Sequence, residues 1–368
     1  MSEALKGALI IGQSGGPSSV INSSAYGCIR TALDADCITK VYGAYHGIKG
    51  VLNDELLCMD EEDRAELDRL PYTPSSALGS CRYKIKDPDE DDTDYKRILE
   101  IFKKYDVRYF CYNGGNDSMD TCNKISKYMK KVGYECRVMG IPKTIDNDLF
   151  GTDHCPGFPS AAKYIATSIS EVYLDSHVYD KGQITIVEIM GRHAGWLTAA
   201  SVLARKFEND NPVLIYLPES AFNTDTFIED VKKALEHTSN LVVCVSEGIN
   251  DGNGTFICEL ASDVGVDTFG HKMLTGSGKY LENLVKEKLG VKVRSIELNV
   301  NQRCSSSMIS ATDQEEAIQA GISGVHFALD GITGKMIAFH RTEGADYSIN
   351  YVPEDVNLIC NQEKTVPP

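Results

Sequence analysis

The segment Pro142-Lys143-Thr144-Ile145-Asp146-Asn147-Asp148 places one lysine and two carboxylates within seven residues, directly after a short apolar run. One carboxylate in such a cluster can accept a hydroxyl proton while its neighbour serves a metal ion. Lys143 supplies a fixed positive charge of the kind that stabilises phosphoryl oxygens as their charge develops. An ordinary polar turn is the alternative interpretation, but the combination favours phosphoryl-transfer chemistry.

Two glycine-rich segments also follow apolar runs. Gly15 and Gly16 lie just before a helical pattern, where backbone N–H groups can approach a phosphate at the helix N-terminus. Asn116 and Asp117 follow a second glycine pair, and their oxygens suit phosphate and a hydrated Mg²⁺. Tight structural turns are the alternative in both cases. Neither segment is a GxGxxG or Walker sequence, which argues against a dehydrogenase or a P-loop NTPase.

Two further segments carry charged groups after apolar runs. Arg192, within Met190-Gly191-Arg192-His193-Ala194-Gly195-Trp196, is a candidate clamp for a phosphate or a sugar, or else a surface cation. Glu247 is a candidate ligand of sugar hydroxyls, or else it caps the next turn. His193 and Trp196 are more typical of structural residues than of catalytic ones.

The elements that position these segments show an alternating pattern. Short apolar runs rich in β-branched residues predict buried parallel strands at 8–11, 107–112, 137–141, 184–189, 213–217, 241–245 and 296–300. Amphipathic segments predict helices at 95–105, 121–132, 161–174, 226–237 and 278–289. Alternating strands and helices predict a doubly wound α/β fold, in which ligands collect at the carboxyl ends of the strands.

Composition limits the class of protein. A chain of 368 residues is long enough for about two domains. The net charge of -16 argues against a nucleic-acid partner. The twelve cysteines form no CxxC pair, so they are interpreted as reduced cytosolic thiols rather than zinc ligands or disulfides. Neither a signal peptide nor a membrane-spanning run is indicated, and we expect a cytoplasmic protein without a membrane partner.

The order and spacing of these segments resemble the phosphofructokinase family along nearly the whole chain, from Gly15-Gly16 to Arg303. The resemblance depends on the SGG segment, Gly79-Ser80-Cys81-Arg82, GGNDS, PKTIDND, MGRHAGW, SEG and Asn301-Gln302-Arg303. It implies two similar doubly wound, Rossmann-like α/β domains with the active site in the cleft between them. We expect a donor and Mg²⁺ domain at 1–157, a fructose 6-phosphate domain at 158–302, and a C-terminal segment at 303–368 that packs on both.

The resemblance also implies roles for residues that match the family motifs. Asp146 is the base that takes the proton from the C1 hydroxyl of fructose 6-phosphate, with Lys143 and Asp117 as further catalytic residues. The residues implied to bind the sugar phosphate are Thr144, Asp146, Asp148, Met190, Gly191, Arg192, Glu247, Arg294 and Arg303. Those implied to bind the phosphoryl donor are Gly15, Gly16, Arg82 and Ser118, with Asn116 near the metal ion. One of the phosphate-binding arginines in this family commonly reaches in from a neighbouring subunit, so we expect a homodimer or homotetramer.

Two positions predict the donor. ATP-using relatives have glycines where this chain has Asp117 and Lys143, and the pair is similar to the pyrophosphate-dependent branch. The segment Asp267-Thr268-Phe269-Gly270-His271 also resembles that branch. We therefore expect reversible transfer from pyrophosphate to fructose 6-phosphate, a reaction of glycolysis. An ATP-dependent 6-phosphofructokinase and a non-catalytic regulatory homologue remain the alternatives.

Three departures from the family pattern affect the metal and sugar-phosphate sites. Asn116 stands where many relatives have an aspartate near the metal ion. Gln183 replaces a phosphate-binding arginine, and Val300 replaces a polar histidine or tyrosine. They leave the segment around Asp146 unchanged.

Overall fold

The structure is a computed structural model that describes residues 4–178, 181–207, 210–260 and 276–368. In chain order its strands and α-helices are β1 Gly7–Gln13, α1 Ile21–Leu33, β2 Ile38–Ala44, α2 Ile48–Asn53, β3 Leu56–Cys58, α3 Arg64–Leu67, α4 Thr93–Lys104, β4 Val107–Gly114, α5 Asn116–Lys131, β5 Arg137–Pro142, α6 Phe158–Ser176, β6 Ile184–Ile189, α7 Trp196–Ala200, β7 Leu214–Tyr216, α8 Thr224–Leu235, β8 Leu241–Ser246, α9 Ser277–Leu289, β9 Val293–Glu297, α10 Asn301–Cys304, α11 Ala311–Leu329, β10 Lys335–Arg341, β11 Ile349–Asp355 and α12 Val356–Ile359. Short 3₁₀ helices occupy Met59–Glu61, Leu70–Tyr72, Ser201–Ala204 and Ile257–Leu260.

The chain forms two compact units. Unit 1 comprises Met1–Pro159 and Ile309–Glu363, and unit 2 comprises Ser160–Met308 and Lys364–Pro368. The first division between them falls between Pro159 and Ser160, whereas the sequence-based boundary lies between residues 157 and 158. The C-terminal part of the chain contributes α11, β10, β11 and α12 to unit 1 and its last five residues to unit 2.

Unit 1 contains a sheet with the strand order β11-β10-β5-β4-β1-β2-β3. The central strands β1, β4 and β5 are parallel neighbours, and their side chains alternate in direction. Ala8 and Ile10 therefore pack in one hydrophobic cluster, while Leu9 and Ile11 pack in another. The helix pair α1 and α11 crosses closely on the second cluster, where a Cβ at Gly27 would overlap the carbonyl of Ile318. Both faces of the sheet are thus buried, as expected for a doubly wound fold.

Unit 2 contains the parallel sheet β7-β8-β6-β9. Ile186 and Val243 from its central strands pack with Phe227 of α8 and Leu281 of α9 in one cluster. The two units therefore share a parallel α/β core but differ in the size of their sheets. The predicted α/β class is confirmed. Among the described residues, no helix has the length and hydropathy needed to cross a bilayer.

Several element boundaries differ from the sequence-based prediction, and two of them concern segments that carry predicted site residues or departures from the family pattern. Helix α5 begins at Asn116 rather than near Thr121, because polar residues fill a first turn that lacks an apolar period. Strand β9 ends at Glu297, whereas the apolar run predicted a strand at 296–300. The first shift matters for function, because it places Asn116, Asp117 and Ser118 at a helix N-terminus.

Candidate active site

Three predicted loops lie side by side at one edge of the unit 1 sheet. Gln13 pairs with Asn113, and Gly114 pairs with Pro142, so β1, β4 and β5 end in register. The backbone contacts continue past the strand ends, where the N–H of Lys143 donates to the carbonyl of Gly114 at 3.0 Å. The parallel register therefore brings together the glycine loop, the GGNDS turn and the PKTIDND loop.

The glycine loop is bonded to the GSCR segment. The N–H of Gly15 donates to the carbonyl of Cys81 at 3.1 Å, and the hydroxyl of Ser80 donates to the carbonyl of Gly15 at 2.6 Å. Gly15 has φ of 79°, a conformation that favours glycine. Arg82, the next residue of the segment, is exposed. Unit 1 thus brings Gly15 and the segment that carries Arg82 together.

The N-terminus of α5 forms the second part of this edge. Gly115 is the N-cap residue, and Asn116, Asp117 and Ser118 form the first turn. A Cβ at Gly114 would overlap the Ser118 hydroxyl, so the second glycine pair permits the close approach of strand and helix. Free N–H groups at a helix N-terminus attract anions. The turn therefore has the backbone geometry of an anion site, and phosphate binding there stays a prediction.

Lys143 reaches the glycine loop. Its side chain is 4% exposed, and Nζ donates a hydrogen bond to the carbonyl of Gly16. Nζ also lies 3.4 Å from where a Cβ of Gly15 would be, so a larger residue there would crowd the ammonium group. A buried ammonium held in one place presents its charge without a further ordering cost.

The loop that carries Asp146 is fixed by local hydrogen bonds. The N–H of Asp146 donates to Oγ1 of Thr144 at 3.1 Å, and the N–H of Cys155 donates to Oδ1 of Asn147 at 3.0 Å. Asn147 adopts a left-handed conformation with φ of 55°. Asp146 and Asp148 are both half-buried. A partly solvated carboxylate on a rigid loop suits a general base.

Asp313 supports the end of the same loop. Its side chain is fully buried in the first turn of α11, and Oδ1 accepts the N–H of Gly157 at 2.9 Å. Thr144 and Gly157 form an isolated parallel bridge, so Asp313 acts on the residue that pairs with the start of the PKTIDND loop. Sequence reasoning missed this residue, because no local motif surrounds it.

Asn116 contacts the C-terminal residues of unit 1. Nδ2 donates to the carbonyl of Gln362 at 2.5 Å, and Oδ1 accepts the N–H of Asn361 at 2.7 Å. Nothing in the sequence indicated this contact, which joins positions more than 240 residues apart. An amide oxygen can accept two bonds, so the contact leaves one lone pair of Oδ1 for a second partner.

Unit 2 places a second group of predicted residues at the carboxyl ends of β6 and β8. The N–H of Glu247 donates to the carbonyl of Ile189 at 2.8 Å, and the N–H of Gly191 donates to Oε1 of Glu247 at 3.4 Å. Gly191 has φ of 143°, and its carbonyl accepts the Ser246 hydroxyl. The sharp turn directs Met190, Gly191 and Glu247 to one edge of the sheet.

Arg192 and Arg303 complete this edge. A Cβ at Gly248 would overlap the Arg192 carbonyl, so the two turns pack backbone to backbone. The amide of Gln302 accepts the N–H of Met190 at 3.2 Å, which ties the helical turn that carries Arg303 to the turn after β6. Both arginines are half-buried. They can therefore present guanidinium groups to a phosphate while keeping part of their hydration.

Glu188, near the end of β6, holds the start of α9. Its carboxylate accepts the N–H groups of Gly278 at 2.7 Å and Gly276 at 3.2 Å. Burial raises the pKa of the Glu188 carboxyl above its ordinary value, and the two N–H groups oppose that shift. The contact is structural, since Glu188 caps a helix rather than facing the turn after β6.

Arg294 does not join the other predicted sugar-phosphate residues of unit 2. It pairs with Thr185 in the register of β6 and β9, four residues before the end of β6. That separation is about 13 Å along the strand. Its Nη2 donates to Oε1 of Gln183 at 3.2 Å. Arg294, Gln183 and Thr185 line a cavity of about 240 Å³, whose other lining residues are Glu171, Val172, Asp175 and Ile296.

Two other points concern the predicted sites. The described part of the chain contains no group of three or more His, Cys, Asp or Glu side chains that could hold a metal ion. The segment Asp267 to His271 lies outside the described residues.

Comparison with known proteins supplies independent information. The family model for phosphofructokinases matches residues 8–328. A pyrophosphate–fructose 6-phosphate 1-phosphotransferase of Xanthomonas campestris is 42% identical over 98% of this chain and 86% of its own length. The enzyme of the same name from Rhodospirillum rubrum is 41% identical over 98% of this chain and 89% of its own length.

A comparison with a solved structure agrees with the sequence comparisons. The pyrophosphate-dependent phosphofructokinase of Marinobacter aquaeolei superposes with a TM-score of 0.87 at 38% sequence identity. The match covers 99% of this chain and 86% of that one. The fold of this chain is therefore shared over nearly its whole length.

Proposed function

The chain belongs to the phosphofructokinase family, and we propose that it transfers a phosphoryl group from pyrophosphate to fructose 6-phosphate. The C1 hydroxyl oxygen attacks one phosphorus of pyrophosphate, the bridging P–O bond breaks, and phosphate leaves. The products are fructose 1,6-bisphosphate, phosphate and the hydroxyl proton, in a reversible step of glycolysis. The pairing of Lys143 with the glycine loop carries this proposal, because it places a buried cation beside a backbone anion site.

Unit 1 supplies the donor half of the chemistry. The backbone around Gly15 and Gly16, the first turn of α5 with Ser118, and the Arg82 guanidinium bind the phosphoryl oxygens of pyrophosphate. Lys143 stabilises the charge that develops as the bridging bond breaks. Asp117 occupies the first turn of α5 and excludes donors that would bring a further phosphate to that position.

The base also belongs to unit 1. Asp146 takes the proton of the C1 hydroxyl as the new P–O bond forms. Its backbone is fixed by Thr144, so the carboxylate does not have to be ordered during the reaction. Thr144 and Asp148 bind the sugar beside the base. Asp313 is a positioning residue, because it acts through Gly157 rather than on the substrate.

Unit 2 supplies the sugar-phosphate half. Glu247 accepts hydrogen bonds from sugar hydroxyls, while Met190 and Gly191 line the turn beside it. Arg192 and Arg303 bind the 6-phosphate. These residues lie on one edge of the unit 2 sheet, which supports a single acceptor site there.

Mg²⁺ fits the oxygen donors of unit 1. This ion takes few protein oxygens and keeps several waters, so a dense protein cluster is not required. The lone pair of Asn116 Oδ1 that the Asn361 contact leaves over is the protein oxygen that would hold the hydrated ion. The ion would neutralise part of the charge of pyrophosphate.

The position of Arg294 supports an oligomer. Arg294 lies about 13 Å along the strand direction from the end of β6, whereas Arg192 follows that end, so the two residues do not share one edge of the unit 2 sheet. We infer that Arg294 serves the sugar-phosphate site of a second copy in a homodimer or homotetramer. Mixing inactive Arg192→Ala and Arg294→Ala chains during refolding should restore activity, whereas each variant alone should not. Failure to recover activity in a mixed oligomer would refute this role.

The free cysteines support a cytoplasmic location. Cys28, Cys111 and Cys122 are buried free thiols, as is usual in a reducing compartment.

The donor is tested directly with purified protein, fructose 6-phosphate and Mg²⁺. Pyrophosphate and ATP are offered separately, and formation of fructose 1,6-bisphosphate is measured. We expect turnover with pyrophosphate and almost none with ATP. Equal rates with the two donors would overturn the donor assignment but leave the family assignment intact.

A further inference from the structure

Asp117 poses a charge problem for the proposed donor site. Its carboxylate lies in the first turn of α5, at the helix end where the phosphoryl oxygens of pyrophosphate would bind. Two anionic groups at one helix N-terminus repel each other unless a cation stands nearby. A cationic residue close to Asp117 is therefore required, and its role as described below rests on the proposed function.

Lys84 is the residue that faces Asp117. Its Nζ lies 3.8 Å from Oδ1 of Asp117, and the two side chains are 59% and 43% exposed. The distance is that of an ion pair and is too long for a hydrogen bond. The three N–H donors of the ammonium group are therefore not committed to the carboxylate and remain open to an incoming anion.

The backbone around Lys84 is fixed on both sides. Ser80 and Cys81, on the N-terminal side, are bonded to Gly15 of the glycine loop. On the C-terminal side, Nζ of Lys124 donates to the carbonyl of Ile85 at 3.1 Å. Lys124 is itself held by Asp120 at 2.7 Å, in the second turn of α5. The backbone of residue 84 is thus fixed relative to both the glycine loop and α5, the two structures proposed to bind the donor.

We propose that Lys84 is a donor-specificity residue that acts together with Asp117. The ammonium group neutralises the Asp117 carboxylate and donates to the phosphoryl oxygens of bound pyrophosphate. Asp117 alone would exclude anions in general. The Lys84–Asp117 pair instead admits a compact donor that reaches the ammonium group and rejects one that places a further phosphate against the carboxylate.

A surface ion pair of this exposure contributes little to folding stability, so Lys84 can be replaced without unfolding the protein. Lys84→Gln removes the charge and keeps most of the side-chain length. We expect the KM for pyrophosphate to rise about ten- to a hundredfold, the range for losing one hydrogen bond from a charged group. The KM for fructose 6-phosphate should stay within twofold. Lys84→Arg should recover at least part of the affinity.

Lys86 provides the matched control. It lies two residues away, and its Nζ pairs with Asp91 at 3.1 Å at similar exposure, 68% and 38%. Lys86→Gln removes the same charge from the same segment and should leave both KM values unchanged. A rise in the KM for pyrophosphate in both variants would show a general field effect and would overturn the specific role of Lys84.

A double-mutant cycle tests the pairing with Asp117. Lys84→Gln changes the logarithm of the KM for pyrophosphate by some amount in the parent. In the Asp117→Asn background, we expect the same substitution to change it by less than half of that amount. Additive effects of the two substitutions would refute the pairing. If the KM for pyrophosphate in Lys84→Gln stayed within twofold of the parent value, the whole inference would be refuted. A parent protein that does not use pyrophosphate would instead refute the proposed function. The two failures are therefore distinguishable.

Discussion

Replacing Asn116 by alanine separates its contact with the C-terminal residues from its predicted place near Mg²⁺. The substitution deletes two hydrogen bonds, from Nδ2 to the Gln362 carbonyl and from the Asn361 N–H to Oδ1. A typical intramolecular hydrogen bond contributes about 0.5–1.5 kcal/mol net. Because the contact is exposed, we expect the free energy of unfolding to fall by about 1–2 kcal/mol. For a unit of this size that corresponds to roughly 2–8 °C in the melting temperature.

Asn116→Asp provides the opposing change. Aspartate still accepts the Asn361 N–H, but its carboxylate cannot donate to the Gln362 carbonyl. Stability should therefore fall in this variant as well. The Mg²⁺ concentration needed for half-maximal activity should rise a few-fold in Asn116→Ala and fall in Asn116→Asp, because a charged oxygen binds Mg²⁺ more strongly than a neutral one.

Asn123 provides the control for this experiment. It lies on the same helix and contacts C-terminal residues through Nδ2, at 3.4 Å from both Asn357 and Cys360. Asn123→Ala should lower stability slightly and leave the Mg²⁺ response unchanged. If both Asn116 variants also left the Mg²⁺ response unchanged, the metal role would be wrong. An unaltered melting temperature would refute the structural role.

The other predictions concern the catalytic loop and donor choice. Asp146→Asn should lower kcat by roughly 10²- to 10⁴-fold with little change in KM, and a variant within a few-fold of the parent would refute the base assignment. Lys143→Gly should cost several kcal/mol of transition-state stabilisation, roughly 10²- to 10³-fold in kcat; a change confined to KM would contradict this. Asp117→Gly should admit ATP as a donor, and an unchanged donor ratio would show that Asp117 does not select it. Asp313→Ala should lower the free energy of unfolding by about 1.5–3 kcal/mol in chemical denaturation, and a loss below about 0.5 kcal/mol would show that the Gly157 contact is dispensable.

The edge of unit 1 that carries the donor loops could be predicted from the sequence. Strands β1, β4 and β5 are largely buried on both faces, so each contains a mostly apolar run that ends at a polar segment. Parallel strands end at the same edge, which brings Gly15, Asp117 and Lys143 to one place. The ends of these strands could be predicted because burial and strand direction both produce patterns in the local sequence.

The contacts that cross long sequence distances could not be predicted in this way. Asn361 and Gln362 reach Asn116 through their backbone groups, which any residue type provides. Asp313 is one of three acidic residues near the start of α11, and its partner Gly157 contributes only a backbone N–H, which leaves no sequence pattern. Arg294 lies only nine residues before Arg303, yet strand β9 places it away from the carboxyl end of β6.

In the proposed function, Asp117 is the residue by which an acidic protein selects among anionic donors. A carboxylate in the first turn of α5 receives the stabilisation that a helix N-terminus gives to any anion. A donor phosphate at that position would compete with it, and the competition grows with each further phosphoryl group. Pyrophosphate has only two such groups, which Lys143 and Lys84 can meet from the loop after β5 and the segment after Ser80. Asp117 substitutions should therefore change the ratio of donors used, whereas Lys143 substitutions should change the rate with whichever donor is bound.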